Sequence, residues 1–183
     1  MIELMIVGGI LSILASISIP KYYYYQLRSK RSEAYLIIGA VKLSEEAFLA
    51  SYDNYAAVPP NPAVLPGIAS APWTVIPCAP GCSRTNPAVC TSFECIGFAP
   101  SSAVRFQYTA GVALAPPFGG SPAPEMAVAA ISDLDADGNP ASFAIQTNNV
   151  GNAMNLGQVA DGVSLCPVGI EAGLIQDCTP LTY

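Results

Sequence analysis

Thirteen acidic residues, six cysteines and no histidine set the chemistry open to this 183-residue chain. A nucleophile here would need lysine or a carboxylate as its base, and the only lysines, Lys21, Lys30 and Lys42, lie far from most of the polar residues. Catalysis therefore has little support, and the chain reads as a non-enzyme. Two carboxylate settings remain. Glu3 is the single charge in an apolar run from Met1 to Ile19, closed by Pro20. An acid inside a segment of membrane length needs a partner. Asp133, Asp135 and Asp137, followed by Gly138, match the opening of a calcium loop, where three oxygens converge on a hard cation and glycine permits the sharp turn. The twelfth position of that pattern is Ala144 rather than a bidentate Glu. Asp-Gly between two strand-like runs, Met126 to Ile131 and Ala141 to Thr147, is equally a hairpin signal. A hairpin turn is the expectation, calcium the alternative, and no other cofactor is expected.

The cysteines point to an oxidising compartment. Six of them beside an apolar anchor are best explained by disulfides. Zinc is the rival, but Cys78, Cys82, Cys90 and Cys95 do not make the paired CxxC knuckles that such sites favour. Cys166 and Cys178 would close one loop near the carboxyl end. The other four allow three pairings, among them 78–82 with 90–95, and the nested 78–95 with 82–90 that would suit an antiparallel hairpin.

These residues need elements to position them. At ~1.5 Å per residue, the run to Ile19 spans ~28 Å as a helix, close to the ~30 Å of a bilayer's hydrocarbon core. A retained anchor is expected; the alternative is a buried core helix with Glu3 at its solvated end. Beyond Pro20, Ala34, Ile37, Ile38, Val41, Phe48 and Tyr52 draw one apolar stripe, with Lys42, Glu45 and Glu46 off it and Lys42 and Glu46 as an i, i+4 pair. One helix over residues 1–53 is predicted, kinked at Pro20 because proline removes a backbone donor and crowds the preceding turn. Its first nineteen residues are apolar all round and the rest amphipathic. From Tyr55 onward the chain carries sixteen of its seventeen prolines and all six cysteines, which reads as a turn-rich β head over 54–183. The expected fold class is α+β: a long amino-terminal helix packed on a disulfide-stapled antiparallel β head.

Charge divides in the same way. Residues 1–43 balance to +3 and residues 44–183 to −9. An acidic head is a poor match for nucleic acid, so none is expected to bind there. The basic cluster Lys21, Arg28, Lys30 and Arg31 favours the cytoplasmic side under the positive-inside rule, whereas the disulfides require the opposite.

The opening Ile2-Glu3-Leu4-Met5-Ile6-Val7, followed by Pro20, Tyr22, Tyr25, Arg28, Ser29, Ser32, Glu33 and Ala34 at fixed spacing, resembles the amino-terminal helix of bacterial type IV pilins. The resemblance covers about the first fifty residues. It implies a subunit held in the inner membrane, then drawn by a pilus assembly machinery into an extracellular helical filament of identical subunits, helix inside and head outside. Glu3 would attract the terminal amine of a neighbour and set axial register, with Pro20, Tyr22, Tyr25 and Arg28 completing the assembly segment. Local unwinding before Pro20 in filaments is also implied, with Ser12, Ser16 and Ser18 available to satisfy freed backbone groups. In that family the acid usually stands fifth, after a methylated terminal amine; Glu3 is third. Either the processing differs, or the start lacks two residues and a basic leader; the second is the expectation, because it would also explain the charge conflict.

The family leaves three functional readings: a major pilin serving adhesion, surface motility or uptake; a pseudopilin of a type II secretion system; and a conductive pilus whose Tyr22 to Tyr25 and Tyr35 rings carry charge. The bland reading of the tyrosines, packing at a membrane boundary, is preferred.

Overall fold

The first of these expectations meets the structure in a single element. In a computed structural model describing residues 2–113, 123–147 and 173–180, helix α1 runs unbroken over Ile2–Tyr52, with Pro20 inside it. Its start is rich in Ile, Leu, Ala and Met, which either favour helix or suit an apolar surround. Ser12 and Ser16 fold back, donating to the carbonyls of Gly8 and Ile13 at 2.7 Å each, so they already act as local backbone partners. The helix stops at Asp53, whose left-handed φ of 57° brings its N–H to the Leu49 carbonyl at 2.8 Å. Aspartate is among the few residues with a side chain that tolerate this conformation.

The head is a five-stranded antiparallel meander in sequence order: β1 (Val58–Asn61), β2 (Gln107–Ala113), β3 (Glu125–Ser132), β4 (Ala141–Gln146) and β5 (Gln176–Asp177). This is the expected α+β arrangement. The two strands foreseen around the aspartates are β3 and β4, in register from Ala127 opposite Gln146 to Ser132 opposite Ala141. Every residue of β3 is buried. Met126, Val128 and Ala130 join the core beneath α1, and the alternate residues need a second cover. The loop after β1 supplies it near Ile131: the cross-strand Gln107 side chain donates to the carbonyls of Pro62 and Ala63 at 2.8 and 3.2 Å, and Ser132 Oγ to that of Pro66 at 3.2 Å.

Helix α1 buries Arg31, Ala34, Ile38, Val41, Glu45 and Phe48 against the sheet. Ile38 and Val41 are fully buried, beside Phe106, Tyr108 and Phe143. Two expectations need correction. Glu45, placed off the stripe from sequence, lies in it, three residues before Phe48 and four after Val41. Arg31, read as part of a basic membrane flank, begins the buried face. The Lys42–Glu46 pair is not among the ion pairs of the described residues; Glu46 instead accepts from the Tyr55 hydroxyl at 3.3 Å.

The cysteine pairing left open by the sequence is the nested one, Cys78–Cys95 enclosing Cys82–Cys90. Thiolate ligands for zinc are therefore not available from these four. The enclosed segment is not an extended hairpin: a bridge at Ser83 and Asn86 leads into a short 3-10 turn, Pro87–Val89. Aromatic rings anchor this stapled region to the sheet, with Trp73 in edge contact with Phe93 and Phe98 and tilted against Tyr108. Cys178 is disulfide-bonded, and Cys166, its expected partner, lies outside the described residues.

Candidate functional site

Among the described residues, the amino-terminal half of α1 is bare up to its last turns. From Ile2 through Gln26 every described residue is exposed, and the helix is long and apolar enough to cross a membrane, with none of its most apolar stretch buried. The buried-core-helix alternative is thereby removed, since such a helix would be covered by its own fold. Glu3 stands in the first turn of this bare segment. Tyr22 and Tyr25 are 62% and 63% exposed, and Arg28 is exposed one turn further on. The assembly residues expected from sequence thus share one helix, presented to whatever surrounds it. Tyr22–Tyr23 and Tyr24–Tyr25 make edge contacts at 6.3 and 5.7 Å within the subunit.

The carboxyl-terminal half of α1 instead meets the head through charged residues, Arg31, Glu33 and Glu45 beside the Glu46 already described. Arg31 Nη2 donates to both Asp177 carboxylate oxygens at 2.7 Å and to the Thr179 carbonyl at 3.0 Å, while Nη1 reaches the Pro180 carbonyl at 3.3 Å. Its guanidinium lies 4.9 Å from the centroid of the Phe143 ring. This satisfies a nearly buried cation from several sides and ties the last described segment to the helix. Glu33 holds the entry to β2: its Oε1 accepts from the Arg105 N–H at 2.7 Å and from the Tyr108 hydroxyl at 3.5 Å. Burial, and then the Glu33 charge, push the Tyr108 phenol upward. Glu45 Oε2 accepts from the Ala56 N–H at 3.0 Å where the chain leaves the helix, whereas Oε1 is buried without a partner. Burial pushes this carboxyl up to about 8; the Ala56 N–H opposes the shift and Glu46 adds to it. At neutral pH Glu45 is thus held largely protonated, which lowers the cost of enclosing it.

Sequence reasoning missed Arg31, Glu45 and Asp177 as structural partners. A usable signal existed for two of them. Extending the stripe Ala34, Ile38, Val41, Phe48 by its own spacing lands on Arg31 and Glu45, and only their polarity argued against including them.

The aspartate loop occupies residues 133–140 between β3 and β4. Ala136 and Gly138 take the left-handed φ values of 57° and 84° that turn the chain. Asp133 accepts from the backbone of Asp137 at 3.2 Å and Gly138 at 3.1 Å, and Asp137 accepts from the Asn139 N–H at 2.7 Å. The hairpin reading thus has its own internal hydrogen bonds. The three carboxylates also converge, offering oxygens within 4.8 Å of one another. Partial desolvation first, and the Asp137 charge second, raise the Asp135 carboxyl. The twelfth position, Ala144, is buried in β4 opposite Ala129, so a closing ligand cannot come from there. The donor set suits a hard cation in its first half and lacks the bidentate end.

A further hollow of about 410 Å³ lies between α1 and the carboxyl-terminal segment, lined by Tyr24, Arg28, Arg31, Ser32, Tyr35, Asp177 and Pro180. It brings Arg28 beside the Arg31–Asp177 pair but not to Glu3, which lies more than six turns away along the same helix.

This division of one helix into a bare half and a clasped half is what comparison with known proteins bears on. Over 55 residues, the chain is 44% identical to the type IV major pilin protein PilA of Myxococcus xanthus (strain DK1622). Over that segment the chain is similar to a type IV major pilin. The match spans 30% of this chain and 25% of that protein, so it covers a segment about as long as α1 and leaves most of the head without a counterpart. No family model matches the chain, and no solved structure matches it. The similarity to a pilin therefore rests on this short match, and the long apolar helix is compatible with it.

Proposed function

We propose that this chain is the structural subunit of an extracellular type IV pilus, held in the inner membrane by its first nineteen residues before assembly and packed by the same segment among neighbouring helices afterwards. The observation that carries the proposal is the bare half of α1. A helix long and apolar enough to span a bilayer stands clear of its own head, and the 44% identity to a type IV major pilin supports the reading. An isolated carboxylate at bilayer depth costs ~2.5–3.5 kcal/mol on insertion scales, so Glu3 favours a cationic partner, a neighbouring subunit's terminal amine. That pairing fixes axial register more than it adds net stability. The head is a non-catalytic, stapled outer surface for adhesion, motility or uptake.

Shearing surface filaments from cells, imaging them and sequencing their protein tests this directly. Long fibres made mainly of this chain are the expected result; a chain confined to the inner membrane overturns it. A second reading, a pseudopilin in a short secretion piston, draws on the convergent Asp133, Asp135 and Asp137, for which calcium is the proposed ligand. A calcium-dependent rise in Tm without long fibres would favour that role.

A further inference from the structure

Three cations and two tyrosines share one face of α1 just beyond its apolar start. Lys21, Tyr24, Arg28, Arg31 and Tyr35 recur at three, four, three and four, which is one stripe of a helix. The stripe leads into the hollow of about 410 Å³ beside the carboxyl-terminal segment, and the last four of these residues form part of its wall. A hollow of this size admits a small polar group. Its charges do not cancel. Arg31 spends its guanidinium on both Asp177 oxygens and on two backbone carbonyls. Arg28 and Lys21, both exposed, make no hydrogen bond or ion pair among the described residues. Asp177 thus offsets one guanidinium and leaves the other unmatched. Ser32 Oγ donates to the Ser29 carbonyl at 2.7 Å, so the Tyr35 hydroxyl is the further donor at the wall. Depth gives this charge a meaning. A headgroup layer is ~5–8 Å thick on each side of the hydrocarbon core. With Ile19 at the edge of that core, Lys21 and Tyr24 stand ~3 and ~8 Å beyond it at ~1.5 Å per residue. Arg28 starts ~14 Å out at the same rise, but helical side chains lean toward the amino terminus and an Arg stem reaches back along the helix.

We propose that Lys21, Arg28 and the hollow above Tyr24 bind the phosphodiester headgroup of an anionic phospholipid while the subunit is held in the membrane. The inference rests on the membrane-held stage of the pilus reading. Lys21 meets the phosphate from the core side and Arg28 from the far side, where a guanidinium offers the paired N–H donors that suit phosphate oxygens. The hollow takes the polar group beyond the phosphate. A zwitterionic lipid would bring its own ammonium to a site that already carries unmatched positive charge, so an anionic one is preferred. Basic clusters flanking a membrane helix are suited to anionic lipid in general. Such lipid also gives these cations a role on the side of the membrane where disulfides form, against the positive-inside tendency.

The test is native mass spectrometry of the full chain in detergent micelles doped with phosphatidylglycerol or, separately, with phosphatidylcholine. Phosphatidylglycerol should be retained at a roughly tenfold lower concentration than phosphatidylcholine. Lys21→Gln and Arg28→Gln should each weaken that retention about fivefold, with Tm unchanged. Lys30→Gln, which lies off the stripe, should leave it unaltered. Equal retention of the two lipids overturns the inference. So does an equal loss in Lys30→Gln, the mark of diffuse attraction to a basic flank. Inorganic phosphate at the same concentration as the lipid should not displace it; displacement overturns the lipid assignment in favour of free phosphate. Carbonate-washed membranes separate this inference from the reading beneath it. A chain absent from them overturns both, whereas a chain retained there that shows no lipid preference overturns the lipid site alone.

Discussion

Each half of α1 sets a carboxylate into its apolar stretch, Glu3 in one and Glu45 in the other, and these two are handled in opposite ways. Glu45 sits in the clasped half, enclosed by the head of its own chain, where it accepts the Ala56 N–H and retains a proton at neutral pH. Glu3 sits in the bare half, exposed, with no side-chain partner among the described residues. The difference shows that residue type and neighbourhood in sequence do not decide a carboxylate's role. An acid enclosed within the subunit adjusts by protonation. An acid on an uncovered apolar helix awaits its compensation from outside, and that distinction separates the half of the helix that packs on the head from the half proposed to assemble subunits.

Several variants sharpen this contrast, beginning with the largest effect. Because the folded Glu45 carboxyl is raised above its ordinary value, its favourable protonated form is fully present below about pH 4.5 and lost as pH rises through about 8. The full chain in detergent should therefore lose roughly 4 kcal/mol of stability across that window from this group. Denaturant midpoints at a series of pH values should show the slope, and Glu45→Gln should flatten it; an unchanged slope would mean Glu45 is solvated. Arg31→Ala leaves Asp177 without its charge partner and frees the Thr179 and Pro180 carbonyls, and should cost about 3 kcal/mol in the same measurement. Ile38→Ala, in the clasped half, should cost about 2–3 kcal/mol by leaving a cavity. Ile10→Ala, in the bare half, should leave head stability within about 0.5 kcal/mol. Equal costs at Ile38 and Ile10 would erase the distinction between the halves. Smallest, Asp133→Ala removes the acceptor of two backbone N–H groups in an exposed turn and should cost about 1 kcal/mol.

Much of this division is legible in the sequence because it depends on short-range pattern. The continuous apolar run before Pro20, the three-and-four spacing of Ala34, Ile38, Val41 and Phe48, and the turn-rich composition after Tyr55 lead to a long helix on a β head. The strands either side of the aspartates emerge equally well, since alternation and Asp-Gly are local signals. What could not be read locally are the long-range closures. Arg31 meets Asp177 across nearly the whole chain, and Glu33 caps the start of β2. The nested cysteine pairing depends on how the loop over 78–95 folds back on Trp73 and its neighbours, not on spacing. Glu45 was misplaced because polarity was allowed to override periodicity. A buried protonated acid satisfies both.

The central claim is that the bare half of α1 assembles subunits while the clasped half folds them. Filament yield and subunit Tm measured side by side for Glu3→Ala test it most directly. Loss of filaments, with Tm and membrane level equal to those of the unaltered chain, is the predicted result. Normal filaments, or filament loss accompanied by an unfolded head, would contradict it.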